Sequence, residues 1–206
     1  GPGVAIIGAP SDLGASGEGG AQHGPVLIRG HFPARSFFAG GPRADASFLT
    51  RTAHDVAPTA ILDIDGGRRF PASALSVVDL GNVVLKIGEG LQPFGERLQA
   101  VVRAALQAGR VPIVLGGDHS VSWYPLQLIA QQHGPFGILH FDAHTDLYDG
   151  ADAGRLTPAN FVVKLLDHGA LRHLHQVGLR GFQPVAAAQR TVDDARITHV
   201  SARALR

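Results

Sequence analysis

The amino-acid sequence predicts an α/β fold whose central sheet is mostly parallel. The clearest helix is expected at residues 92–109, where apolar side chains recur at steps of three and four. An apolar run at 111–115 follows within two residues, and a second helical segment at 123–132 precedes another strand-like run at 137–141. Strand, helix and strand in this order are typical of parallel strands joined by right-handed crossovers.

The other elements are predicted from shorter patterns. A first strand with a glycine-rich exit is expected at 4–8, and a short helix at 25–29 has a proline near its start. Residues 61–67 predict a hairpin or turn rather than a calcium loop, because the closing glutamate of such a loop is missing. Further elements are expected as a strand at 77–81, a helix at 160–168 and a strand at 174–179.

Composition excludes several classes of protein. The chain has 206 residues, 45% hydrophobic and 17% charged, which is enough for one domain over residues 1–206 with a sizeable core. Its net charge is +1, and basic and acidic residues are scattered along the sequence. No basic stripe therefore indicates nucleic-acid binding. The sequence has no cysteine, which excludes disulfides and a thiolate nucleophile. No apolar run reaches the roughly 18 residues of a membrane span and no secretory signal is recognisable, so we expect a cytoplasmic protein without membrane contacts.

Three metal-type ligands follow the predicted strand at 137–141. Asp142, His144 and Asp146 stand at two-residue spacing, which in an extended chain points all three side chains to one side. Two carboxylates and an imidazole that converge would stay poorly solvated without a cation between them. Mixed oxygen and imidazole ligands suit manganese, zinc or iron(II) better than calcium. The alternative is a strand end whose charges are solvated.

A second segment favours the metal hypothesis. The apolar run at 111–115 ends in the sequence GGDHS, where two glycines allow the backbone to turn sharply. His119 therefore stands at the carboxyl end of its strand, which is where ligands bind in open parallel sheets. We expect His119 to meet the ligands after residue 141 at the ends of two neighbouring strands.

The motifs GGDHS at 116–120 and DAHTD at 142–146 resemble two signature motifs of the ureohydrolases, the arginase, agmatinase and formiminoglutamase family. Other family-like segments follow the same order over nearly the whole chain: VAIIGAPSDLG at 4–14, Gly24–Pro25 with Ile28 and Arg29, VVDLGNV at 77–83 and QVGLRG at 176–181. The resemblance implies a three-layer α/β/α sandwich with two Mn²⁺ ions per active site. It also implies a homo-oligomer, either a trimer or a hexamer.

The same resemblance implies roles for the ligands. His119 and Asp146 would hold one manganese ion, His144 the other, and Asp142 would bridge the two. The metals would activate a hydroxide that attacks the guanidinium carbon, with Asp142 and His144 as the catalytic residues. The expected substrate is a small guanidino or formimino compound, and the products are urea or formamide and an amine. Asp118 is expected to orient a ligand.

Three residues are candidates for substrate contacts. His23 lies in a glycine-rich loop that would border the active site, and Asn160 ends a predicted substrate-facing loop at 151–160. Arg155 in that loop would pair with a substrate carboxylate, which favours a guanidino or formimino acid over agmatine. For Arg155 and His23 a solvated position is the alternative reading.

Two departures from the family pattern leave other functions open. The family supplies its remaining ligands from a later motif of closely spaced aspartates, and this sequence reaches Arg206 without one. Pro158 stands where the family commonly has a proton-shuttling histidine, for which His23 and His140 are candidate substitutes. The alternatives are therefore a truncated enzyme, an inactive homologue with a structural or regulatory role, and a metallohydrolase of different specificity.

Overall fold

The computed structural model describes residues 3–15, 17–31, 60–63, 65–71, 76–148 and 154–205. The described elements are, in chain order, β1 (Gly3–Ala9), α1 (Gly24–His31), β2 (Ala60–Asp63), β3 (Arg68–Pro71), β4 (Val77–Asn82), α2 (Leu91–Gln107), β5 (Arg110–Gly116), α3 (Trp123–His133), β6 (Phe136–Phe141), α4 (Phe161–Asp167), β7 (Leu171–Leu179), α5 (Val185–Asp193) and β8 (Ile197–Ser201). Each predicted strand and helix is present, with ends that differ by at most three residues. The start of the predicted loop, residues 151–153, lies outside the described residues.

The described strands form two parallel sheets and one hairpin. The first sheet has the order β4-β1-β5 and the second has the order β6-β7-β8, and every pairing within these two sheets is parallel. The strands β2 and β3 pair antiparallel, which confirms the hairpin expected there. The predicted α/β fold with mostly parallel strands is therefore confirmed.

The expectation that the two ligand-bearing strands are neighbours is wrong. β5 pairs with β1, and β6 pairs with β7, so the two strands belong to different sheets among the described residues. Local apolar patterns identify a strand but not its partner, because pairing depends on contacts between residues far apart in sequence. The carboxyl ends of β5 and β6 nevertheless carry side chains that meet, as described below.

The first sheet is held by an apolar core between β1 and α2. Alternate residues of β1 (Ala5, Ile7 and Ala9) are fully buried, and so are Leu98 and Val102 on the facing side of α2. This alternation is the period of a strand with one face against a helix. The core leaves the carboxyl ends of β1 and β5 free to carry loops.

The second sheet packs against α4, a helix of only seven residues. Its Phe161, Val162, Leu165 and Leu166 are buried with Leu174 of β7. A helix this short is not stable by itself in water, so tertiary packing determines it. Burial of each large apolar side chain contributes about 1.5–3 kcal/mol.

The helix α1 is fixed against the first sheet at both ends. Arg29 donates from Nε and Nη2 to the two carboxylate oxygens of Asp79 on β4, each at 2.8 Å. At the start of the helix, a Cβ on Gly24 would lie 2.6 Å from the carbonyl oxygen of Gly116, so the close approach requires glycine. The glycine-rich loop before α1 is thereby held beside the end of β5.

Helices long and apolar enough to cross a bilayer are absent from the described part of the chain.

Candidate metal centre

The GGDHS turn places His119 beyond the end of β5. Gly117 packs directly on the exit of β1, since an added Cβ would lie 2.2 Å from the carbonyl oxygen of Ser11. The amide of Gly117 donates to Ala9 O at 3.0 Å, and the amide of Asp118 donates to Ser11 O at 2.8 Å. These contacts attach the turn to β1, so the position of His119 depends on two strands.

Asp118 is buried and closes the turn. Its carboxylate accepts hydrogen bonds from the amide of Gly14 at 2.9 Å, from the amide of Ser120 at 2.8 Å and from the hydroxyl of Ser120. The carboxylate thus satisfies backbone donors on both sides of the turn. It fixes the backbone on either side of His119, and the orienting role expected for Asp118 stays a prediction.

The imidazole of His119 lies between α4 and the DAHTD segment. Its ring centroid is 4.4 Å from that of Phe161 and 5.3 Å from that of His140. Phe161 is buried and covers one side of the ring. The Nδ1 atom of His119 lies 3.2 Å from Oδ2 of Asp142 and 3.1 Å from Oδ2 of Asp146.

The chain turns sharply after β6, so the expectation of an extended DAHTD segment is wrong. β6 ends at Phe141, and Asp146 has a φ of 53°, the left-handed region that no other non-glycine residue of the described chain adopts. Aspartate tolerates this conformation better than most residues, and such backbone strain is often found at functional sites. The turn brings Oδ2 of Asp142 and Oδ2 of Asp146 together beside His119, whereas His144 lies on the side of Oδ1 of Asp142.

Four side chains converge at this point: His119, His140, Asp142 and Asp146, here called the ligand cluster. Their candidate ligand atoms all lie within 4.8 Å of one another. The Nε2 atom of His140 is 3.5 Å from Oδ2 of Asp142 and 3.5 Å from Oδ2 of Asp146. Two imidazoles and two carboxylates form a donor set suited to manganese, zinc or iron(II).

Two atoms of the ligand cluster have no hydrogen-bond partner. They are Nε2 of His140 and Oδ2 of Asp146, and both are buried. The ion-pair partners of Asp142 and Asp146 within the described chain are all histidines. A buried acceptor without a partner costs about 1–3 kcal/mol, and more when it is charged. A divalent cation would satisfy these carboxylates, so the residues present fit a metal ion.

The charges within the ligand cluster shift two pKa values. Burial, the largest single effect on His119, lowers its pKa, but the carboxylates of Asp146 and Asp142 outweigh it and raise the pKa above its ordinary value. Burial also raises the pKa of Asp146, but His119 and His140 outweigh this effect and lower it overall. In the absence of metal, His119 and His140 are therefore the groups that stabilise the ionised form of Asp146.

His144, predicted as a metal ligand and catalytic residue, lies outside the ligand cluster. Its side chain is 70% exposed, and its Nδ1 is 3.5 Å from Oδ1 of Asp142, the carboxylate oxygen that His119 does not approach. It borders a surface cavity of about 410 Å³ whose lining residues are Phe141, Asp142, Ala143, His144, Val177 and Arg180. Its role as a ligand stays a prediction.

The predicted substrate-binding residues lie in different surroundings. His23 is exposed on a short 3-10 helix that leads into α1. Arg155 is exposed, and its Nη2 donates to Leu13 O at 3.0 Å. Asn160 is buried, accepts from the amide of Thr157 at 2.8 Å and donates to the carbonyl of Arg155 at 2.8 Å. The side chains of Asn160 and Arg155 thus hold loops together, and the substrate contacts expected of them stay predictions.

The sequence did not predict His140 as a member of the ligand cluster. His140 had been expected only as a candidate proton carrier in place of Pro158. Burial alternates along β6, so His140 shares the inward face with Ile138 while Leu139 and Phe141 are exposed. A polar residue at an inward position of an otherwise apolar strand is the signal that could have revealed it.

Comparison with known proteins identifies the family. The model of the arginase family matches residues 37–206. The chain belongs to the arginase family. Among its relatives are the human mitochondrial guanidino acid hydrolase, with 33% identity over 86% of this chain and 44% of the relative. The agmatinase of Proteus mirabilis is 30% identical over 92% of this chain and 57% of the relative.

Solved structures agree with this assignment. The proclavaminate amidino hydrolase of Streptomyces clavuligerus has a TM-score of 0.71 at 25% identity, over 100% of this chain and 59% of that one. The formiminoglutamase of Trypanosoma cruzi, solved with Mn²⁺, has a TM-score of 0.72 at 20% identity, over 99% of this chain and 61% of that one. The second likeness concerns the fold alone. The family and the arginase-like α/β fold inferred from the two motifs are thus confirmed, and the chain spans about half the length of the curated relatives it matches.

Proposed function

We propose that this protein acts in the manganese-dependent hydrolysis of a guanidino or formimino compound, releasing urea or formamide and an amine. The observation that carries the proposal is the ligand cluster, in which two carboxylates meet two imidazoles and one buried carboxylate oxygen has no partner. Membership of the arginase family supports the reaction class. The Mn²⁺ in the Trypanosoma cruzi formiminoglutamase structure supports the choice of metal.

The residues present would hold one ion between His119, Asp142 and Asp146. The Nδ1 atom of His119 and the Oδ2 atoms of both aspartates already point at one another, at 3.1 and 3.2 Å. A metal bound there would lower the pKa of a bound water and so supply a nucleophile near neutral pH. Phe161 covers His119 on one side and so limits access of bulk water to the cluster.

His144 would act beside this site. Its exposed ring borders the cavity at the ends of β6 and β7, and only 3.5 Å separates Nδ1 from Oδ1 of Asp142. From this position the imidazole would either bind a second ion together with Asp142 or carry a proton at Nδ1 to the departing amine. Pro158 cannot do the latter, since its side chain has no titratable group.

Arg180 favours a substrate that carries a carboxylate. Among the described residues that line the cavity with His144 and Asp142, Arg180 is the only arginine or lysine. Its Nη1 donates to Gly178 O at 3.1 Å, and no carboxylate of the described chain forms an ion pair with its guanidinium. A guanidinium pairs with a carboxylate through two parallel hydrogen bonds. We therefore favour a guanidino acid over agmatine, with Arg180 in the role expected of Arg155.

The proposal is tested by product analysis on the manganese-loaded protein. Urea and formamide are measured with guanidino acids, agmatine, arginine and formimino acids, and the metal content is determined in parallel. We expect urea or formamide from at least one substrate and loss of turnover in Asp142→Asn. The control is Asp193→Asn, which removes an exposed carboxylate bonded to Gln189 on α5. Ammonia without urea or formamide from every compound would contradict the proposal.

A second candidate is a homologue that binds metal without turnover. It is favoured by Pro158 at the position where a proton carrier is expected, and by a cluster that, among the described residues, provides ligands compactly arranged for one ion. Metal binding at the ligand cluster together with no product from any substrate would support this candidate. Product formation only from a longer polypeptide with further aspartate ligands would instead support a truncated enzyme.

We also propose a homo-oligomer, trimer or hexamer, as the resemblance to the family implies. Light scattering coupled to size-exclusion chromatography tests this expectation, and a monomer at all concentrations would contradict it.

The cellular compartment stays open, since the human relative is mitochondrial by name while the cytoplasm was expected from the sequence. Localisation of a tagged protein in its own cell decides between the two.

A further inference from the structure

The inward side of the ligand cluster rests on a buried glutamine from β7. Gln176 is fully buried, and its Nε2 lies 3.1 Å from Nδ1 of His140. The same Nε2 atom donates to the carbonyl oxygen of Thr145 at 2.7 Å. The backbone of the DAHTD segment and the ring of His140 therefore share one amide group.

The Thr145 carbonyl decides the orientation of the Gln176 amide. A carbonyl oxygen only accepts, so the group that faces it at 2.7 Å must be the NH₂ of Gln176 and not its oxygen. The exchanged orientation would bring two oxygens together. The second hydrogen of the same NH₂ is then directed at His140, which means that Nδ1 of His140 accepts.

The orientation of Gln176 in turn decides the tautomer of His140. A neutral imidazole carries one proton, and a ring nitrogen that accepts does not carry it. The proton of His140 therefore resides on Nε2. This is the atom that lies 3.5 Å from the carboxylates of both Asp142 and Asp146 and has no hydrogen-bond partner.

We propose that Gln176 is a positioning residue that holds His140 as the Nε2–H tautomer, so that His140 donates to the ligand carboxylates and is not itself a metal ligand. After a small movement of the ring, Nε2–H would donate a hydrogen bond to Oδ2 of Asp146 and so orient this carboxylate. Hydrogen-bonding groups behind a metal ligand commonly orient the ligand in this way. His140 is close enough to the carboxylates to be a metal ligand. A proton on Nε2 prevents that nitrogen from binding a metal ion. This inference rests on the metal site of the proposed function and does not require that the reaction take place.

The tautomer is measured directly by long-range ¹H–¹⁵N correlation of the histidine rings. The signals of His140 are assigned as those lost in His140→Phe. In the metal-free protein, and again with Zn²⁺ as a diamagnetic ion, we expect a protonated, pyrrole-type Nε2 and an unprotonated Nδ1. A protonated Nδ1, or a shift of Nε2 into the metal-bound range with Zn²⁺, would overturn the proposal. Neither measurement depends on hydrolytic activity, so failure of the proposed reaction is distinguished from failure of this inference.

A pair of variants tests the role of Gln176. Gln176→Leu removes the amide, and we expect a mixture of His140 tautomers and an Mn²⁺ dissociation constant raised by about 10- to 100-fold, the range for residues behind a ligand. Gln99→Leu is the matched control. Gln99 lies on α2, and its Nε2 likewise donates to a backbone carbonyl, that of Tyr124 on α3, at 2.8 Å. An unchanged tautomer in Gln176→Leu would contradict the assignment, and an equal loss of affinity in both variants would show a general effect on stability. Should Gln176→Leu not fold, Gln176→Met removes the amide and keeps a side chain of similar length. The spectrum of the wild-type protein decides the tautomer in either case.

Discussion

Two groups of acidic side chains in this protein are neutralised in different ways. Around α5, Asp167 and Asp194 pair with arginines: Arg190 Nη2 lies 2.5 Å from Asp167, and Arg196 Nη2 lies 2.7 Å from Asp194. This group is here called the arginine cluster. At the ligand cluster, the partners of the aspartates in the described chain are histidines, at 3.1–3.5 Å.

The difference indicates what each group requires from its surroundings. A guanidinium keeps its charge at all physiological pH values, so the arginine cluster is neutral by itself. An imidazole carries a charge only when it is protonated, so above the pKa values of its histidines the ligand cluster keeps an excess of negative charge in a largely buried place. We expect the contribution of the arginine cluster to the free energy of unfolding to change at acid pH, where its aspartates titrate. We expect the contribution of the ligand cluster to change when a divalent metal binds, and four experiments test this contrast.

Asp146→Asn should have the largest effect, because it removes one charged ligand from the ligand cluster. We expect the Mn²⁺ dissociation constant to rise by more than about 100-fold, beyond the range for residues behind a ligand. In the metal-free protein at neutral pH, the same change should lower the free energy of unfolding, because His119 and His140 favour the ionised Asp146 carboxylate and hold its pKa below the ordinary value. Calorimetric titration and urea unfolding measure the two quantities. A stable metal complex in Asp146→Asn would show that the cation lies elsewhere.

Mn²⁺ should stabilise the folded protein through the ligand cluster alone. At a free concentration about 100 times the dissociation constant, binding to the folded state adds about 2.7 kcal/mol to the free energy of unfolding. The midpoint of thermal unfolding should therefore rise with Mn²⁺ and return when a chelator is added. Asp194→Asn, in the arginine cluster, should keep the full increase, whereas Asp142→Asn should lose it. An equal increase in both variants would contradict the assignment.

Histidines inside and outside the ligand cluster should differ in their effect on metal binding. His119→Asn removes a ring whose Nδ1 faces both carboxylates, and we expect a loss of affinity of about 100-fold. His144→Asn removes an exposed ring, and we expect less than about 10-fold for the first ion bound. Electron paramagnetic resonance of free Mn²⁺ measures both. Comparable losses would mean that His144 binds the first ion directly.

The arginine cluster should show the smallest effect, which depends on pH. Hydrogen bonds from Arg196 lower the pKa of Asp194 to about 2 from its ordinary value of 3.8. Because the folded pKa is the lower one, the stabilisation is fully present above about pH 4 and is lost as the pH falls towards 2. The Arg196 side chain is 38% exposed, so solvent screening limits the gain to about 1 kcal/mol. Asp194→Asn should cost this amount in urea unfolding at pH 6 and about half of it at pH 3. An equal cost at both values would show that the charge is not the cause.

Much of the fold could be predicted from local patterns. The apolar period of α2 and the uninterrupted run of β5 need no distant contact to be recognised, and both were found within two residues of their bounds. The elements α5 and β8 were not predicted, because their apolar residues are few and partly exposed. Sheet membership could not be predicted either, since the partner of a strand is set by residues far away in sequence.

The candidate site was predicted only in part. His119, Asp142 and Asp146 do converge, as the two motifs indicated, whereas His144 lies outside the cluster and His140 inside it. The ligand role of His144 stays a prediction, but the extended chain from which a common direction of the three side chains was inferred is absent. A left-handed residue at Asp146 ends that geometry, and two-residue spacing no longer predicts a common direction.

The amino-acid sequence by itself determined the family, the alternation of strands and helices and three of the side chains that meet at the ligand cluster. These features depend on residue type and spacing along a short stretch of chain. Tertiary structure alone decided that His140 faces the carboxylates and that Gln176, 36 residues further along the chain, holds its ring. The physical reason is that burial and hydrogen bonding between β6 and β7 join residues whose separation in sequence contains no sign of their contact.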